Sequence, residues 1–256
     1  VDSTAYRPSD VGTLAAALDG RGGFHLQISS ISAYRDPDAP GATEDTAVTW
    51  GDEGLDLDGA ITNESYGPLK AASERAALAS FSDGVALVRP TYVIGAFDAT
   101  LRFPYWVERA RRGGVIAVPG PRESAMQYVD ARDLADFVVG VVATSTPGAF
   151  HVAGPFPATR FVDMVERVAR HVAPAGTRVE VLDAGRVLAS PAAGKFPLWS
   201  GGGSETALAV DPAKALAHGL ALRPLEESVD DVVAWWKDRD WPSAWLSADE
   251  ERGLLG

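Results

Sequence analysis

A tyrosine and a lysine stand four residues apart in the segment ESYGPLK, residues 64–70. Positions i and i+4 share one face of a helix, so Tyr66 and Lys70 would be neighbours. Pro68 lacks an N–H and fits the first turn of a helix, which predicts that Tyr66 lies at the helix start. The ammonium and the positive end of the helix dipole both favour a phenolate. The pattern therefore predicts a lowered tyrosine pKa and acid–base chemistry, with an exposed tyrosine beside a solvated lysine as the alternative.

A pair of serines supplies a second candidate group. Ser29 and Ser30 directly follow the short apolar run GFHLQI, which is typical of a strand. A hydroxyl at the carboxyl end of a parallel strand points into the crevice where α/β sheets bind ligands. Because this strand comes one connection before the Tyr66 helix, we expect Ser30 and Tyr66 to reach one substrate carbonyl. The alternative is that Ser30 is only a turn or cap residue.

The elements that would position these groups alternate along the first part of the chain. Strand-like runs occupy residues 23–30, 84–90, 114–120 and 148–154, and helical patterns occupy residues 7–20, 64–81, 103–113 and 130–145. This alternation predicts βαβ units and a mainly parallel sheet. The polar segment 35–60 is predicted to be a long loop. After residue 155 the pattern changes to helices at 159–171, 211–218 and 224–238, with a proline- and glycine-rich stretch at 190–205, which predicts a smaller second lobe.

Composition excludes several classes of protein. The 256 residues are 46% hydrophobic and 23% charged, with a net charge of −12, which argues against general binding to nucleic acid or anionic membrane. No apolar run reaches about 18 residues, so we expect no membrane span, and the cytoplasm is the expected compartment. The chain has no cysteine, and its four histidines lack metal-binding spacing, so no metal site is expected.

Several motifs, taken in order, resemble a known family. Ser30, Tyr66-x3-Lys70, VRPTYVIG (88–95) and QYVDARDLA (127–135) resemble the extended short-chain dehydrogenase/reductases, and more narrowly the NAD-dependent epimerase/dehydratase group. The segment at 210–235 resembles the C-terminal end of that group. The resemblance implies an α/β fold with a Rossmann-like, mainly parallel sheet and a smaller C-terminal α+β substrate lobe. We expect the Rossmann-like domain at 1–96 and 129–153, and the substrate lobe at 97–128 and 154–256.

The same resemblance implies roles for the candidate residues. Tyr66 would relay a proton, and Lys70 would hold the nicotinamide ribose and tune Tyr66. Ser30, which has the Ser-x3-Tyr spacing to Tyr34, would hydrogen-bond the reacting oxygen. The implied cofactor is NAD or NADP.

The resemblance also implies contacts around the nicotinamide and the substrate. Besides Tyr66 and Lys70, the cofactor-binding candidates are the residues that follow the second buried strand, namely Pro90, Thr91, Tyr92 and Val93. Further candidates for contacts with a small-molecule substrate are Ser32, Arg102 and Tyr105.

One feature of the family is missing from the sequence. No glycine-rich turn follows a strand and opens a helix before Ser30, since the glycines at 19–24 precede a strand and those at 200–205 lie in the second lobe. The chain also begins at Val1 in strand-like residues. We therefore expect that about 70 N-terminal residues of a usual member are missing, with the phosphate-binding turn and the residue that separates NAD from NADP. A sheet left uncovered in this way is expected to self-associate as a homo-oligomer.

The sequence predicts an NAD(P)-dependent oxidoreductase of the extended short-chain type, with Tyr66 as proton relay. One alternative is a sugar-nucleotide epimerase or dehydratase, although the second lobe has no clear basic cluster for a diphosphate. The other is a non-catalytic binding or regulatory protein of the same fold, or an inactive fragment. The missing turn favours this last alternative, and the intact Ser–Tyr–Lys set argues against it.

Overall fold

A three-stranded parallel sheet forms the centre of the fold. The computed structural model describes residues 1–21, 23–34, 41–48, 50–51, 54–199, 201 and 209–256. Strand β2 (Val85–Pro90) lies between β1 (His25–Ile28) and β7 (Gly148–Val152), and all three are parallel. All six residues of β2 are buried, as expected for a central strand covered on both faces. The prediction of an α/β fold with a mainly parallel sheet is confirmed.

Helices cover both faces of this sheet. Alternate side chains of β2 point to opposite faces. Val85 and Leu87 pack with Val11 of α1 (Pro8–Leu18) and Ala77 of α2 (Asn63–Ser80). On the other face, Ala86 and Val88 belong to a cluster that also contains Phe137 of α4 (Ala131–Thr144) and Phe150 of β7. The N-cap of α4 is Asp130, whose carboxylate accepts a hydrogen bond from the backbone N–H of Arg132 at 2.8 Å.

The remaining elements form a second, larger apolar cluster. Its strands pair as β3 (Tyr92–Ile94) with β6 (Tyr128–Asp130), β4 (Val115–Pro119) with β9 (Arg178–Leu182), and β5 (Ala125–Met126) with β8 (Thr159–Arg160). Only the last of these three pairs is antiparallel. The helices of this cluster are α3 (Arg102–Arg112), α5 (Phe161–Val172), α6 (Ala184–Leu188), α8 (Leu225–Trp236) and α9 (Ala248–Leu255). Phe103, Trp106, Phe161, Val229 and Trp236 pack at the centre of the cluster. Helix α7 (Ala213–Ala217) instead packs through Ala215 in the cluster that contains Phe150 of β7. The predicted domain boundaries stay a prediction.

The long polar segment is irregular wherever the structure describes it. Between residues 41 and 60 the described residues form no helix or strand, and Ala42 makes a single bridge to Val210. The rest of the predicted loop, at 35–40, 49 and 52–53, lies outside the described residues, as do 200 and 202–205 of the predicted glycine-rich stretch. Among the described helices, none is both long and apolar enough to cross a membrane.

Candidate active site

A cleft of about 320 Å³ opens at the carboxyl ends of β1 and β2. Nine of its lining residues are ones for which the sequence predicted a role in the site, namely Ser30, Ser32, Tyr66, Lys70, Pro90, Thr91, Tyr92, Val93 and Arg102. The others are Ser3, Tyr6, Ile28, Ser29 and Ile31. The structure therefore brings together every predicted catalytic residue, every predicted cofactor contact and two of the three predicted substrate contacts. Their roles in chemistry stay predictions.

The helix that carries Tyr66 begins earlier than predicted. Thr62 is the N-cap of α2, and its hydroxyl accepts a hydrogen bond from the Ser65 N–H at 3.2 Å. Tyr66 is therefore most of a turn inside the helix, and Pro68 lies in the second turn, so the prediction that Tyr66 stands at the helix start is wrong. Pro68 removes the backbone hydrogen bond that Glu64 O would accept. Tertiary contacts on this buried helix outweigh that local loss.

A glycine brings α2 against the segment that holds Ser30. Ser30 caps the short 3₁₀ turn Ile31–Ala33, and its hydroxyl accepts a hydrogen bond from the Ser32 N–H at 3.1 Å. A Cβ on Gly67 would lie 2.5 Å from the Ser32 carbonyl oxygen, closer than any side chain allows. Glycine at position 67 therefore lets the backbone of α2 touch this turn. That contact brings Tyr66 and Ser30 to the wall of one cleft, where the Ser30 hydroxyl is a hydrogen-bonding neighbour of the Tyr66 phenol.

The predicted lowering of the Tyr66 pKa is wrong. Burial raises the pKa of Tyr66, and the nearby Tyr6 phenol acts in the same direction. Hydrogen bonding with the Ser30 hydroxyl and the charge of Arg102 lower the pKa, but burial is the larger effect. Tyr66 is thus a protonated phenol near neutral pH, suited to donate a proton.

The Lys70 ammonium is turned away from Tyr66. Lys70 is only 3% exposed, and Nζ donates hydrogen bonds to Ala5 O at 2.8 Å and Ile28 O at 3.0 Å. Nζ lies 4.3 Å from the centroid of the Tyr6 ring and 6.0 Å from that of Tyr66. Burial lowers the Lys70 pKa from 10.5 to about 8. An ammonium has three N–H donors, so one is left for a ligand in the cleft.

Tyr6 is a cleft residue that the sequence reasoning missed. Its ring stands 6.1 Å from the Tyr66 ring and covers the Lys70 ammonium, and the side chain is 37% exposed. Asp2, four residues earlier in the chain, forms a parallel bridge with Gln27 of β1. Tyr6 therefore follows the end of an extended segment that lies next to β1. The same strand-end argument that selected Ser30 could have found it.

Arg102 and Tyr105 lie one helical turn apart but in different surroundings. Arg102 lines the cleft, and its Nε donates a hydrogen bond to Thr100 Oγ1 at 2.8 Å. Tyr105 is fully buried in the larger cluster, against Trp106 and Trp245. The prediction that Tyr105 contacts substrate is not supported by this position, because its packing in the core accounts for it.

Comparison with known proteins identifies the family. The model of the NAD dependent epimerase/dehydratase family matches residues 14–182. The chain belongs to this family. No curated protein sequence matches the chain significantly.

Several solved structures share the fold of this family member. UDP-glucuronic acid 4-epimerase from Bacillus cereus, solved with NAD, is 14% identical, with a TM-score of 0.60 over 89% of this chain and 66% of its own. dTDP-glucose 4,6-dehydratase from Bacillus anthracis, also solved with NAD, is 15% identical, with a TM-score of 0.61 over 90% of this chain and 67% of its own. RMD from Pseudomonas aeruginosa, solved with NADPH, is 14% identical, with a TM-score of 0.57 over 93% of this chain and 80% of its own. At these identities the likeness concerns the fold.

The cleft fits the nicotinamide half of the cofactor that membership of the family implies. Ser29 Oγ and Thr91 Oγ1 are buried without a hydrogen-bond partner, and both residues line the cleft. Buried hydroxyls are rarely left unpaired, so these two suit a polar ligand. Gly20 and Gly23, by contrast, lie after α1 and before β1, which is the reverse of the order in a phosphate-binding turn.

Proposed function

We propose that this epimerase/dehydratase family member is an NAD(P)-dependent oxidoreductase that acts on a carbon bearing a hydroxyl or carbonyl group. The observation that carries the proposal is the meeting of Ser30, Tyr66 and Lys70 with Pro90–Val93 in one cleft. When bound, the nicotinamide would supply hydride-transfer chemistry.

The residues of the chain would handle the oxygen and its proton. Ser30 would donate a hydrogen bond to the substrate oxygen. Tyr66, whose phenol stays protonated near neutral pH, would give its proton to the oxygen as a carbonyl is reduced and would recover it from solvent. The free N–H of Lys70 would hold a ribose hydroxyl.

Binding of the nicotinamide half can be tested without knowing the substrate. Reduced nicotinamide mononucleotide carries the nicotinamide ribose but lacks the second nucleotide. In saturation-transfer NMR we expect transfer from the protein to the nicotinamide ring protons. Lys70→Ala should weaken binding about tenfold, while the exposed control Lys237→Ala should leave it unchanged. If no transfer is seen at millimolar ligand, or if Lys70→Ala binds the ligand as well as the natural chain does, the cleft does not bind the cofactor.

The proton relay is tested by turnover. Nicotinamide absorbance can be followed with a panel of small hydroxyl and carbonyl compounds and both dinucleotides. Tyr66→Phe should lower turnover about a hundredfold or more and leave nucleotide affinity within about threefold. Equal turnover by Tyr66→Phe and the natural chain would exclude Tyr66 as the proton donor.

A sugar nucleotide is the second candidate substrate. Two of the compared structures are by name a UDP-glucuronic acid 4-epimerase and a dTDP-glucose 4,6-dehydratase, which supports this candidate at the level of fold. Epimerisation and dehydration of a sugar consume no cofactor overall, whereas reduction does. Product formation from UDP- or dTDP-glucose without net oxidation of the nicotinamide would favour this second function.

A further inference from the structure

A buried polar network lies behind the cleft. Arg89 of β2 donates two hydrogen bonds to the carboxylate of Glu74 on α2, from Nε at 2.9 Å and from Nη2 at 2.6 Å. Its third nitrogen, Nη1, donates to the phenol oxygen of Tyr34. The exposed fractions are 5% for Arg89, 3% for Glu74 and 4% for Tyr34. The guanidinium is rigid and planar, so these three contacts fix the relative positions of their elements.

The network continues from Tyr34 to the far strand of the sheet. The Tyr34 hydroxyl hydrogen-bonds His151 Nε2 of β7 at 2.8 Å, and His151 Nδ1 lies 3.1 Å from Asp211 O. Glu44 accepts a hydrogen bond from the His151 backbone N–H at 2.8 Å. The Tyr34 phenol is thus held from two sides, and replacing its hydroxyl would leave Arg89 and His151 with unpaired buried nitrogens.

Tyr34, Glu74 and Arg89 each stand next to one segment of the cleft. Tyr34 ends the 3₁₀ turn that Ser30 begins. Glu74 is one helical turn beyond Lys70, and Arg89 immediately precedes Pro90. Tyr34, Glu74 and Arg89 do not themselves line the cleft. Their contacts with each other therefore fix the positions of the cleft walls.

We propose that Tyr34 is a positioning residue, which through Arg89 and Glu74 holds the Ser30 turn against the helix that carries Tyr66. The effect on catalysis rests on the proposed function, but the effect on geometry does not. Loosening this link moves the Ser30 hydroxyl away from the Tyr66 phenol and leaves both residues in place in the sequence.

The alignment of the two hydroxyls can be read from the titration of Tyr66. Hydrogen bonding with Ser30 lowers the pKa of Tyr66, so losing the alignment raises it. Tyr6 and Arg102, which also shift this pKa, do not contact the network through any hydrogen bond of the described residues. The chain has 6 tyrosines, so 3-fluorotyrosine labelling and fluorine NMR can resolve them, with Tyr66→Phe assigning the signal.

A double-mutant cycle separates positioning from a general loss of structure. Tyr34→Phe should raise the Tyr66 pKa in the same direction as Ser30→Ala. In the Ser30→Ala background, Tyr34→Phe should add no further shift, because the hydroxyl being positioned is gone. The matched control is Tyr105→Phe, which removes another buried phenol oxygen that has no hydrogen-bond partner and should leave the Tyr66 signal unchanged.

Two outcomes would overturn the proposal. One is an unchanged Tyr66 pKa in Tyr34→Phe, and the other is a full shift that persists without the Ser30 hydroxyl. If Tyr34→Phe does not fold, Glu74→Gln keeps one acceptor for Arg89 and should shift the Tyr66 pKa in the same direction. With a turnover assay in hand, Tyr34→Phe should lower kcat about tenfold and leave the nucleotide KM within about threefold. The NMR arm needs no cofactor, so its result stands whether or not the proposed function does.

Discussion

Removing the Lys70 ammonium should change how the stability of the protein depends on pH. The pKa of Lys70 falls from 10.5 in an unfolded chain to about 8 in the fold, chiefly because of burial. Between these two values the unfolded chain binds more protons than the folded one, so this lysine makes the protein more stable as the pH rises from 8 to 10.5. Below pH 8 the buried ammonium costs stability, and the cost is about 3 kcal/mol because one pH unit corresponds to about 1.4 kcal/mol.

Lys70→Met keeps a long side chain and removes the charge. It leaves Ala5 O and Ile28 O without the ammonium donor, a loss of about 1–3 kcal/mol that does not depend on pH. Relative to Lys70→Met, the natural chain should therefore gain about 3 kcal/mol between pH 8 and pH 10.5. The raised tyrosine pKa values are common to both proteins and cancel in the comparison.

Urea unfolding at pH 7, 8, 9 and 10 measures the difference. The matched control is Lys237→Met at the exposed end of α8, where the ammonium stays in water in both states and the difference should be flat with pH. A flat difference for Lys70→Met as well would refute the claim that the cleft holds a desolvated ammonium.

We make three further predictions, two from close contacts and one from the positions of the glycines. Gly67→Ala should destabilise the protein by about 1–3 kcal/mol in urea unfolding, because the new Cβ meets the Ser32 carbonyl oxygen, and unchanged stability would contradict the contact. Glu251→Ala should lower the free energy of unfolding by about 3–5 kcal/mol, because it leaves the buried Arg109, which Glu251 binds at 2.7 Å, without its carboxylate partner. A loss below about 1 kcal/mol would contradict this prediction. In calorimetric titration, NADH should bind no more than about threefold tighter than reduced nicotinamide mononucleotide, because among the described residues no glycine-rich turn follows a strand and opens a helix that could receive the phosphates. Micromolar affinity for NADH would contradict this prediction.

The parts of the fold that could be predicted are those with a clear local pattern. The apolar runs of β1, β2, β4 and β7 and the helical spacing of α2 predicted the alternation that builds the parallel sheet. The short strands β3, β5, β6 and β8 have two or three residues each, too few for a period of two to stand out. β9 carries the alternating run RVEVL, a local strand signal that could have been used, whereas its pairing with β4 is a tertiary contact that no local pattern shows.

The sequence could predict which residues meet in the site, but it could not predict how the fold changes their pKa values. Spacing on a helix and position at a strand end suffice to bring Ser30, Tyr66 and Lys70 into one cleft. The direction of the Tyr66 pKa depends on how deeply tertiary packing buries the phenol, which spacing does not encode. Lys70 binds a carbonyl 65 positions away, and Tyr105 points inward only because of the packing of α3.

A crystal structure of the chain soaked with reduced nicotinamide mononucleotide at millimolar concentration would show whether the cleft binds a nicotinamide. We expect the ribose hydroxyls within hydrogen-bond distance of Lys70 Nζ, and the nicotinamide ring between Tyr66 and the backbone of Thr91–Val93. Polar groups of the ligand should satisfy Ser29 Oγ and Thr91 Oγ1. Well-ordered ligand bound elsewhere on the protein, with this cleft empty, would show that the cleft is not a nicotinamide site.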